Sequence, residues 1–387
     1  MKLNTKKFIR NIIICIVAFI VVSLILNYAP GFKRDKYAGI TKLIVNDEDI
    51  TENLKERVYA SENNAVYLSL EDVKNIFDKN IFYDENLGLI ITTSNTKIAN
   101  IHLTDTKIII NGVEQELKKV AFKTENTIYI PVSELNLVYN IETKYLPSTN
   151  TVVIEKLNDG LIKAEVEEKA TIKFKPRLIS KNIGEVNIGD SVSCYYTTSK
   201  GWRLIRTQDG KLGYVKANIL ENEYIVRQDY DDTIKTAKIE TNLSDGSSIS
   251  LYDEQENANK IVIKTLFNFI ENGSLNVNEV LNEEDYTVWA TISNKGLEKY
   301  TNEMISNFEK RNELINLVLE YVTKYKLKGI NIDFNNVTDN ETFSRFIIEL
   351  TPRLREVGVT TNVILNESIE EKKIIGIVDY LLTKKEQ

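Results

Sequence analysis

The chain has 387 residues, of which 42% are hydrophobic and 27% charged, and this composition predicts several folded domains rather than disorder. Its net charge of -7, without a basic stripe interleaved with aromatic residues, argues against nucleic-acid binding. One histidine and two cysteines exclude a disulfide framework, a thiolate metal cluster and catalysis by Ser-His-Asp or Cys-His. We therefore expect no metal and no cofactor, and any catalysis would depend on carboxylates.

The N-terminal 30 residues combine basic residues with an uncharged apolar run. Four basic residues lie between Lys2 and Arg10, and the run IIICIVAFIVVSLIL follows from Ile12 to Leu26. With its flanking residues this run just reaches the ~17 to 25 residues that span a bilayer. Because no small-residue cleavage site follows, we predict that residues 1–30 are a cytoplasmic basic tail and an uncleaved transmembrane signal anchor. The rest of the chain would then be extracellular, on a single-pass protein of the cell membrane; a cleaved signal peptide is the alternative.

Residues 37–156 contain an internal repeat. The segment AVYLSLEDVKNIFDKNIFYDENLGLIITT aligns with TIYIPVSELNLVYNIETKYLPSTNTVVIE, so that Tyr67 falls on Tyr129 and Ile91 on Val153. Each copy predicts a strand, a short helix and two further strands, which together indicate a duplicated α+β domain. The repeat resembles the copper amine oxidase N-terminal domain family, and this resemblance implies a spacer or wall-facing domain. One histidine cannot build a copper site, so we expect no copper here.

Residues 163–222 predict a small all-β barrel, because short strands alternate with four turn signals between Asn182 and Gly210. The steps GEVNIGDSV, GW at Trp202 and GYV around Tyr214 resemble the bacterial Src-homology-3-like domain, which implies binding to peptidoglycan. Trp202 and Tyr214 are therefore candidate binding residues, and core packing is the alternative for both. The polar segment 223–247 predicts a linker.

Strands and helices alternate over residues 248–387, which predicts parallel strands joined by helices. The strands are expected at SISLYD, IVIKTLFNF, TVWATISN, KGINIDF, VTTNVIL and IVDYLL. Helical spacing of apolar residues predicts one helix over Glu309–Tyr325 and another that begins after a cap at Thr338 or Asp339. Residues 248–387 are fewer than the ~250 of a full TIM barrel, so a partial barrel is expected.

The segment KGINIDFNN has the alternation of a buried strand with one polar face. Its aliphatic and aromatic residues fall on one side, and Asn331, Asp333 and Asn335 fall on the other. Three polar side chains therefore project together, as in a ligand-binding face. The alternative is an edge strand whose polar face is solvated.

This segment also carries the most specific resemblance in the chain. Together with VWATISN, NELINLVLEYVTKYKL and FSRFIIELTPRLREVGVTTNVIL, it resembles the family 18 glycoside hydrolases, which are chitinase-like. The resemblance implies a TIM barrel that cleaves N-acetylglucosamine-containing glycans with the motif D-G-x-D-x-D-x-E. The four acidic positions of that motif are occupied here by Lys328, Asn331, Asp333 and Asn335. Asp333 would be the retained substrate-orienting residue, and Asn335 stands where the family has its acid Glu.

A carboxamide cannot release a proton, so Asn335 cannot act as the general acid and we expect no family-type hydrolysis. Asn331, Trp289 and Phe267 are the candidate substrate-binding residues, with core packing as the alternative for the two aromatics. The predicted fold class is multidomain, with an N-terminal transmembrane helix, a duplicated α+β domain, a small all-β barrel and a partial (β/α) TIM-barrel-like domain. The predicted function is binding of cell-wall glycan or peptidoglycan by a membrane-anchored pseudoenzyme; an active glycoside hydrolase is the alternative.

Overall fold

The computed structural model describes residues 5–28, 39–60, 65–242, 248–252, 258–269, 275–277 and 287–384. The protein has a mixed α/β, multidomain architecture with several sheets. It divides into two compact units. Unit 1 contains Met1–Val73 and Lys119–Asp231, and unit 2 contains Lys74–Lys118 and Asp232–Gln387.

The elements follow in chain order. The first part of the chain contains α1 (Thr5–Tyr28), β1 (Lys42–Val45), β2 (Glu48–Asp49), β3 (Tyr59–Ala60), β4 (Val66–Ser69), α2 (Leu70–Ile76), β5 (Phe82–Asp84), β6 (Leu89–Thr93), β7 (Ile98–His102), β8 (Lys107–Ile110), β9 (Val113–Glu116), β10 (Phe122–Lys123), β11 (Ile128–Pro131), β12 (Ile141–Leu146) and β13 (Thr151–Lys156). The middle contains β14 (Leu161–Val166), β15 (Ala170–Lys173), β16 (Asn182–Val186), β17 (Ser191–Thr197), β18 (Trp202–Arg206), β19 (Leu212–Lys216), β20 (Leu220–Arg227) and β21 (Ala237–Thr241). The last part contains β22 (Ser248–Tyr252), β23 (Ala258–Phe269), β24 (Leu275–Val277), β25 (Thr287–Ser293), α3 (Glu298–Ser306), α4 (Phe308–Tyr325), β26 (Gly329–Asp333), α5 (Asn340–Glu356), β27 (Thr360–Ile364) and β28 (Tyr380–Lys384). Short 3₁₀ helices lie at Val132–Leu137, Ala217–Ile219 and Glu371–Lys373.

The prediction of an N-terminal transmembrane helix is wrong. Within the part of the chain that the structure describes, no helix combines the length and the apolar character needed to cross a membrane. Helix α1 begins with Lys6, Lys7 and Arg10 in its first two turns, and its uncharged run extends only from Ile12 to Leu26. At 1.5 Å per residue that run measures about 22 Å, which is shorter than the ~30 Å hydrocarbon core of a bilayer.

The two copies of the repeat share their strands. In the sheet with order β10-β11-β4-β3, Leu68 lies opposite Ile130, its equivalent in the other copy, so the central strands pair about a local twofold axis. In the sheet with order β12-β13-β1-β2, β1 pairs in parallel with β13. Strands of the first copy therefore complete a sheet of the second. The predicted short helix is α2 in the first copy and the 3₁₀ helix Val132–Leu137 in the second.

Strands β14 to β20 form one antiparallel sheet, with order β16-β15-β19-β18-β17-β14-β20. Between Leu161 and Arg227, all of which the structure describes, the edge strands β16 and β20 pair with one neighbour each, so backbone hydrogen bonds do not close the predicted barrel. Cys194 lies in the core of this sheet, and burial raises the pKa of its thiol to about 11. The resemblance to a Src-homology-3-like domain stays a prediction.

The described residues of unit 2 form two sheets. The smaller is antiparallel, with order β5-β6-β7-β8-β9. The larger has the order β21-β28-β27-β26-β25-β23-β22, with β24 paired to β23. Six neighbouring strands of this sheet run parallel, as the alternation of strands and helices predicts: β21, β28, β27, β26, β25 and β23. Strands β22 and β24 are antiparallel to β23. Among the strands that the structure describes this sheet does not close, and β21 lies at one edge and β22 and β24 at the other.

Helices α3, α4 and α5 cover one face of the larger sheet and bury a single apolar core there, which includes Ile330, Ile332 and Phe334. Asn307 caps α4, because its Oδ1 accepts a hydrogen bond from the Lys310 backbone N–H at 3.0 Å. Asp339 caps α5 by accepting from the Glu341 N–H at 2.9 Å, as predicted. Asn331 and Asp333 alternate with the core residues along β26, so they lie on the opposite face of the sheet.

Candidate functional site

The candidate site lies at the carboxyl ends of β25 and β26. These strands are parallel neighbours, and Ser293 pairs with Asp333 at the last position of the ladder. The predicted alternation of KGINIDF is confirmed, because Ile330, Ile332 and Phe334 pack in the helix-side core while Asp333 faces away from it. In open parallel sheets, the carboxyl ends of the strands are the usual place for ligand binding.

Asp333 is half-buried at this edge. The Ser293 hydroxyl donates a hydrogen bond to its carboxylate. Burial raises the pKa of Asp333 above its usual value, and the Ser293 hydrogen bond and the positive charge of Lys295 oppose that rise. The carboxylate is thus partly removed from water, and no cation among the described residues forms an ion pair with it. It can therefore accept hydrogen bonds from a ligand.

Asn335 follows Asp333 on a loop whose backbone is firmly held. Asn294, only 1% exposed, accepts a hydrogen bond from the Asn335 N–H at 2.7 Å and donates one to the Asn335 carbonyl at 3.1 Å. Asn366 donates to the Phe334 carbonyl at 2.8 Å on the other side of the loop. The side chain of Asn335 is half-buried, and the residue lies two positions after Asp333. We call Ser293, Lys295, Asp333 and Asn335 the strand-end cluster.

Asn331 belongs to the interior and is not part of this cluster. It is 0% exposed, its Nδ2 donates to Thr291 Oγ1 at 3.2 Å, and its Oδ1 accepts from Asn362 Nδ2 at 2.9 Å. The pairing of β25, β26 and β27 places these three side chains in one row. This row cross-links the strands beneath the strand-end cluster, and the Asn331 side chain is fully buried within it, away from a ligand at that cluster.

Trp289 is also buried, with 2% of its surface exposed. Its ring lies 5.1 Å from the ring of Tyr380, and it packs with Leu382. A Cβ atom at Gly329 would come within 2.4 Å of Trp289 Cδ1, so the glycine of KGINIDF makes room for the indole. Phe267 lies on β23, where its backbone pairs with Ile292, and its side chain is outside the described residues.

The two candidates in unit 1 have different surroundings. Trp202 is 5% exposed, and the Lys216 ammonium group lies 4.5 Å from the centroid of its ring. Tyr214 is half-buried, and its hydroxyl is hydrogen-bonded to that of Tyr196, whose side chain is 52% exposed. Burial is the main cause, and this hydrogen bond the second, of the rise in the pKa of Tyr214 to about 12. The structure therefore offers Tyr196 and Tyr214 as an accessible aromatic pair, whereas Trp202 belongs to the packed interior.

The residues that sequence reasoning missed are Ser293, Asn294, Asn302, Asn366 and Ser368. Asn302 donates to the Asn336 carbonyl at 2.9 Å, and Ser368 Oγ accepts from the Val337 N–H at 3.0 Å. They hold the loop after β26 through contacts that are distant in sequence. A usable signal was present for Ser293, Asn294 and Asn366, because the first two end a predicted parallel strand, the third directly follows another, and the carboxyl ends of such strands meet.

Asp333→Asn should stabilise unit 2 at neutral pH. An acid whose pKa is raised by folding is held in its charged form at a cost. This cost is absent below the unfolded pKa of about 3.8, grows as pH rises from there to the folded pKa, and is constant above it. The amide removes the charge and can still accept from Ser293. Thermal unfolding at pH 7 should therefore show a higher Tm than wild type, and the difference should vanish near pH 3.

Asp339→Asn is the matched control for this measurement. Hydrogen bonding to Thr342 holds the pKa of Asp339 below its usual value, so its carboxylate favours folding above the unfolded pKa. At pH 7 this variant should be no more stable than wild type. A rise in Tm for both variants, or for neither, would contradict the assignment of a destabilising buried charge to Asp333.

Comparisons with known proteins give one family match and several structural likenesses. Residues 44–154 match the family described as the copper amine oxidase N-terminal domain. Among curated proteins, no match to the chain is found. A Bacillus subtilis protein, ydhD, described as a sporulation-specific glycosylase, is 19% identical with a TM-score of 0.30, over 35% of this chain and 52% of its own.

Two further solved structures are similar at the same level. The spore cortex-lytic enzyme SleL of Bacillus cereus is 20% identical with a TM-score of 0.29, over 32% of this chain and 34% of its own. A chitinase of Chromobacterium violaceum is 18% identical with a TM-score of 0.28, over 32% and 47%. The chain thus spans about half or less of the length of these relatives. The comparisons show a copper amine oxidase N-terminal domain match over residues 44–154 and a partial likeness to chitinase-like and cortex-lytic glycosidases.

Proposed function

We propose that unit 2 binds a glycan at the strand-end cluster and does not hydrolyse it. The observation that carries this proposal is the placement of Asp333 and Asn335, both half-buried, at the carboxyl edge of a parallel sheet. A cell-wall glycan of the chitin or peptidoglycan type is the substrate class implied by the family 18 resemblance of this segment. Such a partner implies an extracellular site of action.

The chemistry of the cluster suits sugar hydroxyl groups. A carboxylate accepts hydrogen bonds from hydroxyls, and a carboxamide both accepts and donates them. Because Asp333 is partly desolvated, each hydrogen bond it accepts is stronger than one made in bulk water. The held backbone of Asn335 limits the conformational freedom lost when a ligand binds.

Hydrolysis lacks its proton donor in this arrangement. The family 18 reaction requires an acid two residues after the retained Asp, and Asn335 has no proton to release. One observation favours the alternative of an active hydrolase, namely the raised pKa of Asp333, which is a property of general acids. The test therefore measures both binding and turnover.

The full chain should be titrated calorimetrically with chitin oligosaccharides and with soluble peptidoglycan fragments. We expect binding to at least one probe, and Asp333→Ala should weaken it by about tenfold or more because a charge-assisted hydrogen bond is lost. Glu320→Gln, at an exposed position of α4, should leave the affinity unchanged. An affinity unaltered by Asp333→Ala, or no binding to either probe, would overturn the proposal.

Turnover is followed in the same samples as release of reducing ends. The proposal requires that the wild-type chain releases none. If the wild-type chain shows turnover and Asp333→Asn abolishes it, the chain hydrolyses its ligand and the proposal of binding without hydrolysis is overturned. Asn335→Glu restores the acid position, and absence of turnover in this variant too would remove the hydrolase alternative.

A further inference from the structure

A loop of unit 1 exposes apolar side chains to a degree that its fold does not require. Residues 174–181 connect β15 to β16, and we call this segment the basic loop. Phe174 is 58% exposed, Leu178 75% and Ile179 70%. All three project from the loop, while the core residues of the same sheet, such as Ile172, are 0% exposed.

The basic loop is held in one conformation by its own hydrogen bonds. The Phe174 N–H donates to the Lys181 carbonyl at 2.9 Å, and the Lys175 N–H donates to Ser180 Oγ at 2.8 Å. The exposure of the three apolar side chains is therefore built into a folded loop. A soluble domain gains no stability from three large apolar groups in water, so this exposure indicates a binding surface.

Along the chain, the charged residues that flank these side chains are all basic. Between Glu168 and Glu185 the chain carries five basic residues and no acidic one, although the protein as a whole has a net charge of -7. Lys169 forms an ion pair with Glu185 at 2.9 Å, and Lys173 Nζ donates to Asn182 Oδ1 at 2.7 Å. Lys175, Arg177 and Lys181 are exposed beside the apolar side chains.

We propose that the basic loop docks on an anionic lipid bilayer, with Phe174, Leu178 and Ile179 inserted below the headgroups and the basic residues at the phosphates. A lipid surface matches both properties at once, because apolar groups enter the acyl boundary while cations remain at the headgroups. A soluble anionic polymer would match the charges but would leave the apolar side chains in water. This surface is independent of helix α1 and of the strand-end cluster.

The test places a fluorescent reporter in the loop of the full chain. The protein has two tryptophans, Trp202 and Trp289, and both are at most 5% exposed. The emission of the tryptophan introduced by Phe174→Trp is therefore obtained by subtracting the spectrum of the wild-type protein. Vesicles of phosphatidylcholine with one quarter phosphatidylglycerol should shift the emission of this reporter to the blue, and brominated lipids should quench it. Replacing Lys175, Arg177 and Lys181 with glutamine should weaken vesicle binding, read from this reporter, by about tenfold or more, since each cation near an anionic surface contributes measurably.

The matched control is Ile188→Trp. Ile188 is 73% exposed on the turn between β16 and β17, with Glu185 and Asp190 as its charged neighbours. Its emission should not change with the same vesicles. Because each reporter reads only its own position, binding of the vesicle elsewhere on the chain does not affect the result.

Three outcomes would overturn the proposal. The first is a Phe174→Trp emission that does not change although the protein sediments with anionic vesicles. The second is an equal change with pure phosphatidylcholine, since charge would then play no part. The third is an equal blue shift with polyphosphate in the absence of lipid, which would identify a soluble polyanion as the ligand.

Discussion

Glu349→Ala is expected to lower the free energy of unfolding of unit 2 by about 3 to 5 kcal/mol, because it leaves the charge of Arg311 buried without a partner. The two side chains are 2% and 7% exposed and form a bidentate ion pair, with Arg311 Nε 2.9 Å and Nη2 3.0 Å from the two carboxylate oxygens. Arg311 Nη1 also donates to the Ile305 carbonyl at 2.9 Å. The pair therefore joins α4 to α5 and to the end of α3 beneath the sheet.

Urea unfolding followed by the fluorescence of Trp289 measures this loss, in a Trp202→Phe background so that the signal reports on unit 2 alone. Glu320→Ala, at an exposed position of the same helix pair, should change the free energy by about 0.5 kcal/mol or less. The double variant Arg311→Met, Glu349→Leu should recover most of the loss, since it removes both charges. A single variant as stable as wild type would show that the pair is solvated.

Trp289→Ala is expected to destabilise unit 2 by about 3 to 5 kcal/mol through the cavity it creates. The indole is almost fully buried between Tyr380, Leu382 and the open side of Gly329, so its removal leaves a void that β26 and β28 cannot fill. Trp289→Phe should cost less, because most of the ring volume is kept. Far-UV circular dichroism follows the unfolding of both units, and the fluorescence of Trp202, which lies in unit 1, identifies the part of that signal that belongs to unit 1.

The same pair of variants separates packing from ligand binding. If Trp289 is a core residue, Trp289→Phe should bind glycan with wild-type affinity at a temperature where both proteins are folded. A variant that keeps its stability but loses glycan affinity would instead show that the indole contacts the ligand, as the sequence interpretation allows.

Local pattern was a good guide wherever the determining contacts are close in sequence. The alternation of Ile330, Ile332 and Phe334 requires only the twofold period of a strand, and it predicted the buried face correctly. The cap at Asp339 depends on an N–H two residues away. The 62-residue offset between Tyr67 and Tyr129 likewise placed the equivalent strands β4 and β11 without any knowledge of their pairing.

Local pattern was a poor guide to what surrounds each polar group. Asn331 lies on the same face of the strand as Asp333 by its alternation, but its side chain is hydrogen-bonded to Thr291 and Asn362 on the two neighbouring strands. Strand β21 lies in the polar segment expected to be a linker. It forms a strand because its backbone pairs with β28, which lies more than a hundred residues later in the chain. The N-terminal apolar run looked like a membrane span by composition, yet its uncharged length is too short.

The sequence by itself determined the positions of most strands and helices, the internal repeat, the polar face of KGINIDFNN and the replacement of the acid position by Asn335. These features depend on backbone periodicity and on residue chemistry, which act over a few residues. Only the tertiary structure decided that Asp333 and Asn335 are accessible while Asn331 and Trp289 are buried, because burial and hydrogen-bond partners depend on which strands become neighbours. That choice is made by contacts between residues far apart in the chain, and no local pattern encodes them.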